Sequence, residues 1–393
     1  MRRKADDWRN TSLNELTGKR IFMYMNFFCD DPSIGITKKI RAQIKTFRNM
    51  GLEVTYCAYY SGGAVIIDNN EEVIFRKPFT VKCEKFNRYY RRFHLINTVT
   101  EYLKSNKTGF DYAYLRWHTF DRKFLSMLRE LKNKNTKVVV EAHAYSPDFI
   151  PTTLISRYQL FMDKRYSPKA ARYIDLVAAM NNYTDIWGIK TVNIDNAIDL
   201  DDISERHYVP NRNKAIRFLS VAIERNYHGI DRFINGLKAY YDNGGTEDIR
   251  VYFVGKYMDS TKKLVLSSGL RDRCRFVGSK SGEELDRYYD RAEIGIGALA
   301  HHRIGMYEGS SLKTKEYFAK GLPFIYGWKE PAFDDTYPYA HRFELCEDPI
   351  DIEEVLKFYH GIEDSNYREE MREFARQYYS WDIEFAKLFA ELG

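Results

Sequence analysis

The sequence predicts an α/β chain of two doubly wound domains, each a mostly parallel sheet covered by helices on both faces. Three observations predict it. At 393 residues the chain is longer than one ordinary domain. Short apolar runs alternate with helix-period segments, the pattern of strand-helix-strand units. That alternation occurs twice, separated by the polar stretch His207-Tyr-Val-Pro-Asn-Arg-Asn213.

The first series begins with Lys19-Arg-Ile-Phe-Met-Tyr-Met-Asn26, an apolar run of buried-strand length. A loop through Gly35 follows, then a helical pattern from about Thr37 to Met50 that Gly51 ends. Leu52 to Tyr59 resumes as a strand, and residues 62–80, with Gly62-Gly63 and Asp68-Asn-Asn, read as a hairpin insertion. Strands are then expected at 111–116, 137–142 and 175–180, with a helix over 122–133. The second series has strands at 215–222, 249–255, 274–278 and 294–299, and helices at 229–243, 262–268 and 281–292. The expected organisation is a polar extension (1–19), a first Rossmann-like domain (20–208), a second (209–375) and a returning amphipathic helix (376–393). Two such sheets place the carboxyl ends of their strands toward a cleft.

Composition narrows the class. The chain is 44% apolar and 16% aromatic, enough for packed cores. Its five cysteines show neither CxxC spacing nor a neighbouring histidine in a metal-ligand pattern, and read as reduced thiols. The start is charged, without the apolar stretch of a signal peptide, and no run reaches the length of a spanning helix. A cytoplasmic protein is expected. The net charge of +6 hides an asymmetry: residues 1–208 carry 34 Lys+Arg against 24 Asp+Glu, and the remainder carries 27 against 31. Basic-aromatic segments such as Lys82 to Phe93 suit an anionic membrane surface, a phosphorylated acceptor or nucleic acid.

The segment richest in chemistry is Glu308-Gly-Ser-Ser-Leu-Lys-Thr-Lys-Glu316-Tyr-Phe-Ala-Lys-Gly321-Leu-Pro323. A helix should start near Ser311 or Leu312 and end at Lys320. Gly321 can supply the left-handed position after it, and Pro323 cannot continue it. Its amino end offers backbone N–H groups to an anion, with a carboxylate on either side able to hold hydroxyls. This string resembles the signature of glycosyltransferase family 4, whose members have the GT-B architecture and retain anomeric configuration. By that resemblance Glu308 touches the donor sugar, Glu316 touches the nucleotide ribose, and the amides of Ser310, Ser311 and Leu312 receive the diphosphate.

Other matches follow the same family. The stretch Phe218 to Gly236 resembles its strand-to-helix turn, which supplies an Arg and a Lys to the phosphates. Here His228 stands in place of the Lys, and Arg225 and Arg232 flank the turn. Asn193-Ile-Asp-Asn196-Ala-Ile-Asp199 resembles the Asn-Gly-Val-Asp segment before the linker, with Ala197 where Gly is usual. Gly35 matches the glycine-rich loop after strand one, facing donor phosphate. Val140-Glu-Ala-His143 resembles the strand-end histidine near the donor sugar, so His143 joins Glu308 as a catalytic candidate. Arg116 and His118 end another strand and are expected on the acceptor side, and Arg303 is expected near donor phosphate.

The resemblance implies transfer of a sugar from a nucleoside-diphosphate-sugar to a glycan, lipid-linked or protein-linked acceptor, in bacterial surface polysaccharide synthesis. The basic first domain, taken with the resemblance, leads us to expect peripheral contact with an anionic membrane at the inner face of the plasma membrane, and no nucleic acid partner is expected. Nothing resembles the Asp-x-Asp metal motif of the other large transferase fold, so neither essential metal nor other cofactor is expected. Two alternatives keep the fold: a nucleotide-sugar epimerase or phosphorylase, and a non-catalytic subunit assisting a partner transferase.

Overall fold

A computed structural model describes residues 16–30, 35–80, 87–180, 182–208, 215–362 and 366–392. Several stretches singled out above fall partly outside these: residues 1–15 of the extension, 31–34 of the first loop, 81–86 of the basic-aromatic segment and 209–214 of the linker. The chain divides into two compact units. The first is Met1–Tyr145, Pro151–Asp195 and Trp381–Gly393; the second is Ser146–Ile150 and Asn196–Ser380.

The first unit contains β1 (Arg20–Phe28), α1 (Gly35–Asn49), β2 (Glu53–Tyr60), β3 (Gly63–Ile67), β4 (Val73–Pro78), α2 (Asn87–Ser105), β5 (Tyr112–Arg116), α3 (Arg122–Lys132), β6 (Lys137–Ala142), α4 (Leu154–Ala170), β7 (Leu176–Ala179), β8 (Asp185–Ile186) and β9 (Ile189–Asn193). They form one sheet in the order β4-β3-β2-β1-β5-β6-β7-β9-β8. Strands β2, β1, β5, β6, β7 and β9 run parallel, while β3, β4 and β8 add antiparallel edges. Ile21 through Met25 of β1 are all buried, because a strand covered on both faces needs no alternation.

Helix α2 carries the end of the basic-aromatic segment. Its Leu95, Ile96, Val99 and Leu103 enter the core. Arg92 is turned inward, with Nη1 2.5 Å from Asp121 Oδ2 and Nη2 donating to the Thr119 carbonyl at 2.7 Å. The Arg91 guanidinium lies 5.1 Å from the Phe28 ring centre. A cation that completes internal hydrogen bonds is withdrawn from an external anion.

The second unit contains β10 (Ile216–Ile223), α5 (Ile230–Asp242), β11 (Ile249–Lys256), α6 (Asp259–Ser267), β12 (Cys274–Gly278), α7 (Glu283–Arg291), β13 (Ile294–Ile296), α8 (Leu312–Lys320), β14 (Phe324–Tyr326), β15 (Ala340–Arg342), α9 (Ile352–His360) and α10 (Tyr367–Tyr378). The sheet order is β12-β11-β10-β13-β14-β15, all parallel. Helix α11 (Trp381–Leu392) belongs to the first unit, where Phe385 stacks on Phe47 of α1 with ring centres 4.0 Å apart.

Apart from the short segment Ser146–Ile150, the chain passes between units at 195/196 and 380/381, and the sequence suggested domain bounds at 208/209 and 375/376. Residues 196–208 belong with the second unit because their polar groups are satisfied there. The Ile198 amide donates to the Tyr379 carbonyl at 2.9 Å, Arg206 Nη1 to the Ala292 carbonyl at 2.9 Å, and the His207 amide to Asp290 at 2.8 Å. In a doubly wound sheet, ligands bind beyond the carboxyl ends of the strands where the order reverses. Those points lie between β1 and β5 in the first unit and between β10 and β13 in the second.

Candidate functional site

At the reversal point of the second unit, the buried Glu224 follows β10 directly. Its carboxylate accepts from the Met258 amide (2.7 Å) and the Thr261 hydroxyl (2.6 Å). A single 3-10 turn, Asn226–His228, follows and closes on Gly229 at φ +64°. A Cβ there would lie 2.9 Å from Ala300 Cβ, so glycine is required both by the backbone and by the approach of the chain after β13. That approach is sealed by hydrogen bonds from the Leu299 amide to the His228 carbonyl and from the Ala300 amide to the Tyr227 carbonyl. His228 Nδ1 accepts from the Arg225 amide at 2.9 Å, which leaves Nε2 to carry the proton of the neutral ring. Burial pushes His228 far below its ordinary pKa, with Lys313, His301 and Arg225 adding to the effect.

Helix α8 starts where the sequence places it. Ser311 is its N-cap, accepting from the Lys313 amide at 3.2 Å, and Gly321 ends it at φ +57°. Three lysines lie on this helix, and two are consumed. Lys315 pairs with the buried Glu330 at 2.6 Å, and Lys320 pairs with Asp286 at 2.7 Å. The Lys313 ammonium is also buried, yet has no hydrogen-bond partner among the described residues. Burial lowers its pKa from 10.5 to about 8, against the opposing pull of Glu316 and Glu224. A buried cation left without a hydrogen-bonded counter-charge is costly, and such groups mark sites that receive an anion.

The remaining residues named from the sequence divide. Glu308 is half-buried, bridged to Lys329 in a short parallel pairing with its Oε1 3.2 Å from Lys329 Nζ. Glu316 accepts from the Tyr289 hydroxyl at 3.2 Å. Ser310 is buried and tied to Asn196, whose amide donates to Ser310 Oγ at 3.0 Å. The Ser311 amide points to the Glu330 carboxylate at 3.4 Å, so of the three amides expected to meet phosphate it already has an anion, and Leu312 opens the helix behind it. Arg225 is exposed, with Nη1 on the Glu224 carbonyl at 3.1 Å.

Two of the arginines expected at the phosphate have partners within the protein. Arg232 is buried, its guanidinium donating to the carbonyls of Asp348 (2.7 Å), Leu299 and Glu344 (3.1 Å) and to Cys346 Sγ (3.3 Å). Four of its five N–H groups are engaged in this way, bracing the loop after β13 and the loop after β15. Arg303 is clamped by two carboxylates, Asp231 at 2.7 Å and Glu347 at 2.5 Å, with a further bond to the Asn226 carbonyl. Those carboxylates hold its charge in place and neutralise it for any other anion.

In the first unit Gly35 opens α1 after β1, and the ends of β5 and β6 supply Arg116, His118 and His143. Arg116 and His143 interact with a residue the sequence reading passed over, Glu141. Its fully buried carboxylate accepts from Lys39 (3.0 Å), Gln43 (3.0 Å), the Tyr114 hydroxyl (2.7 Å) and Arg116 (2.6 Å). Despite burial, the charges of Lys39 and Arg116 hold Glu141 well below the usual carboxylate range. Burial lowers Lys39 to about 8. Burial also pushes His143 well below its ordinary value, helped by Arg116 and opposed by Glu141. Its Nδ1 is buried without a partner among the described residues, so a neutral imidazole stands beside the network with one nitrogen uncommitted.

Sequence reasoning missed Lys313, Glu224, His301, Lys39 and Glu141. Lys313 had a signal: it precedes Glu316 by three residues on one helix face, within the first turn. Glu141 had one as well, a carboxylate inside an otherwise apolar strand.

Residues 213–329 match a family model described as glycosyl transferases group 1. The amylovoran biosynthesis glycosyltransferase AmsK of Erwinia amylovora is 25% identical over 156 residues, covering 36% of this chain. The match covers 38% of AmsK, well under half of the relative's length. Among solved structures, a glycosyltransferase from Rickettsia africae superposes with a TM-score of 0.65 at 13% identity, covering 95% of this chain and 97% of that one. WaaG, a glycosyltransferase of lipopolysaccharide biosynthesis, gives 0.61 at 13% over 94% and 98%. Anabaena HepE, solved in complex with UDP, gives 0.58 at 10% over 95% and 98%. The chain therefore has the two-domain α/β fold of GT-B glycosyltransferases, and its second unit carries a segment similar to glycosyl transferases of group 1.

Proposed function

We propose that this chain is a glycosyltransferase, moving a sugar from a nucleoside-diphosphate-sugar donor to an acceptor hydroxyl. The observation that carries the reading is the buried, unpartnered Lys313 ammonium at the start of α8, beside Glu316 and the Arg225–Gly229 turn. A diphosphate supplies the missing counter-charge, and the carboxylates of Glu308 and Glu316 accept hydrogen bonds from sugar and ribose hydroxyls. In sugar transfer, positive charge develops at the anomeric carbon and negative charge on the departing diphosphate. Lys313, with Arg225, stabilises that departing charge without a metal. The UDP bound to HepE and the amylovoran pathway in the name of AmsK support a nucleotide donor and a polysaccharide or lipid-linked acceptor. His143, held neutral, hydrogen-bonds a hydroxyl near the reacting centre, and the Arg116 and His118 strand end serves the acceptor side. The reaction retains anomeric configuration by front-face attack, with the leaving phosphate taking the acceptor's proton. Retention and the residue roles rest on the resemblance to family 4.

The test is an assay of the full chain with uridine, guanosine, adenosine and thymidine diphosphate-sugars, each with glycan and polyprenyl-linked acceptors, with and without EDTA. Nucleoside diphosphate release that requires acceptor, survives EDTA and yields a product with the donor's anomeric configuration is expected. Turnover without acceptor would instead indicate an epimerase, and no turnover with any donor would remove the reading.

A further inference from the structure

Helix α4 (Leu154–Ala170) reverses the normal pattern of a surface helix. The residues it buries are Asp163, Ser167 and Ala170. Those it exposes are Leu154 (82%), Ile155 (52%), Tyr158 (53%) and Phe161 (62%). A soluble surface helix places its apolar stripe against the core and its polar face outward. At about 100° per residue, Leu154, Tyr158, Phe161 and Arg165 fall in one line along the outer face. Arg157 and Lys164 lie to one side of that line and Lys169 to the other, all exposed.

The inner face shows that this orientation is built. Asp163 accepts from the Phe120 amide at 2.6 Å and from Trp117 Nε1 at 3.3 Å, pinning the helix to the unit by its polar side. Thr153 and Ser156 form a capping box at its start. Asp163 is the only acidic residue of the helix, which also carries Arg157, Lys164, Arg165 and Lys169. The outer face thus combines large apolar side chains with four cations and no negative charge.

We propose that α4 docks the first unit onto an anionic lipid surface, lying in the plane of the headgroups. Leu154, Ile155, Tyr158 and Phe161 enter the acyl boundary, and the four cations meet headgroup phosphates. Charge complementarity selects this occupant. A second copy of the chain laid face to face would set four cations against four, whereas a bilayer of acidic phospholipids offers both an apolar interior and negative charge. The proposal assigns the membrane contact expected of the basic first domain to one helix of that domain, and it does not depend on the catalytic reading.

The experiment is flotation of the full chain with phosphatidylcholine vesicles, with and without phosphatidylglycerol. Binding only to the phosphatidylglycerol vesicles, weakening as salt is raised, is expected. The double variant Leu154→Ser/Phe161→Ser lowers that binding about tenfold or more, and Lys164→Glu/Arg165→Glu removes the preference for acidic lipid. Both variants keep the parent's thermal unfolding, since the altered side chains touch solvent. In a Tyr158→Trp variant, brominated lipid quenches the fluorescence. The proposal is overturned if the parent does not bind, if the variants bind equally well, or if Leu154→Ser/Phe161→Ser abolishes a concentration-dependent dimer and leaves vesicle binding unchanged.

Discussion

Replacing Lys313 by methionine separates binding from stability in the second unit. The lysine's pKa is lowered from 10.5 to about 8, chiefly by burial. A fall of that size corresponds to about 3 kcal/mol against the charged form. Between pH 8 and 10.5 the unfolded chain holds this proton more firmly than the folded one, so stability contributed by this site rises with pH across that window. Below pH 8 the full cost is present. Lys313→Met removes it, and the methionine keeps the length and volume of the chain. The variant is therefore expected to unfold at a higher temperature at pH 7, by roughly 5 to 10 °C for a unit of this size, with the gain shrinking as pH rises toward 10. Its affinity for a nucleoside diphosphate is expected to fall by a factor of about 10 to 100, the loss of one charge-assisted contact. Calorimetric scans of parent and variant at pH 7 and 9.5 read both the gain and its pH dependence. A variant that is less stable at pH 7, or a gain independent of pH, would show that Lys313 is not an uncompensated buried cation.

Three further expectations follow from the same geometry. Arg232→Ala strips three carbonyls in two loops of their donor and is expected to destabilise the second unit by about 3 kcal/mol, leaving nucleotide affinity unchanged in the folded fraction; a selective loss of affinity would place Arg232 at the phosphate site. Gly229→Ala meets both an unfavourable backbone angle and the Ala300 Cβ, with an expected cost of about 1 to 3 kcal/mol in urea unfolding, and a neutral result would mean the turn is not held as described. Glu141→Ala leaves Lys39 and Arg116 buried without their shared carboxylate and is expected to cost the first unit about 3 to 5 kcal/mol. In the parent the depressed Glu141 pKa makes that contribution present above the ordinary carboxylate range and lost only as the pH falls below it; a loss already apparent at pH 6 would contradict the assignment.

Much of the fold is legible because strands covered on both faces are short apolar runs between polar breaks. Strand β1, the hairpin of β3 and β4 and the alternation from β10 to β13 lie close to their expected positions. The stop of α8 was legible for a local reason, the left-handed Gly321 followed by Pro323. Helix α4 was not, because its large apolar side chains face outward and its anchors are Asp163 and Ser167. The two-residue β8 exists only through its pairing with β9, a contact that its own residues do not encode. In the site, charge was visible and its partner was not. Lys313, Lys315 and Lys320 look alike along the chain, and only folding brings Glu330 to Lys315, Asp286 to Lys320 and, among the described residues, no hydrogen-bonding carboxylate to Lys313. The partners of Arg232 and Arg303 were hidden for the same reason, since the carbonyls and carboxylates that occupy them lie 44 to 116 residues away in sequence.

Calorimetric titration of the full chain and of Lys313→Met with nucleoside diphosphates and their sugars tests the donor site most directly. If Lys313 receives the diphosphate, at least one nucleotide binds the parent, binding at pH 8 takes up a proton as the ammonium gains its counter-charge, and the variant loses both the proton uptake and at least about tenfold in affinity. No binding by any nucleotide, or binding with equal affinity and no proton uptake in both proteins, would contradict it.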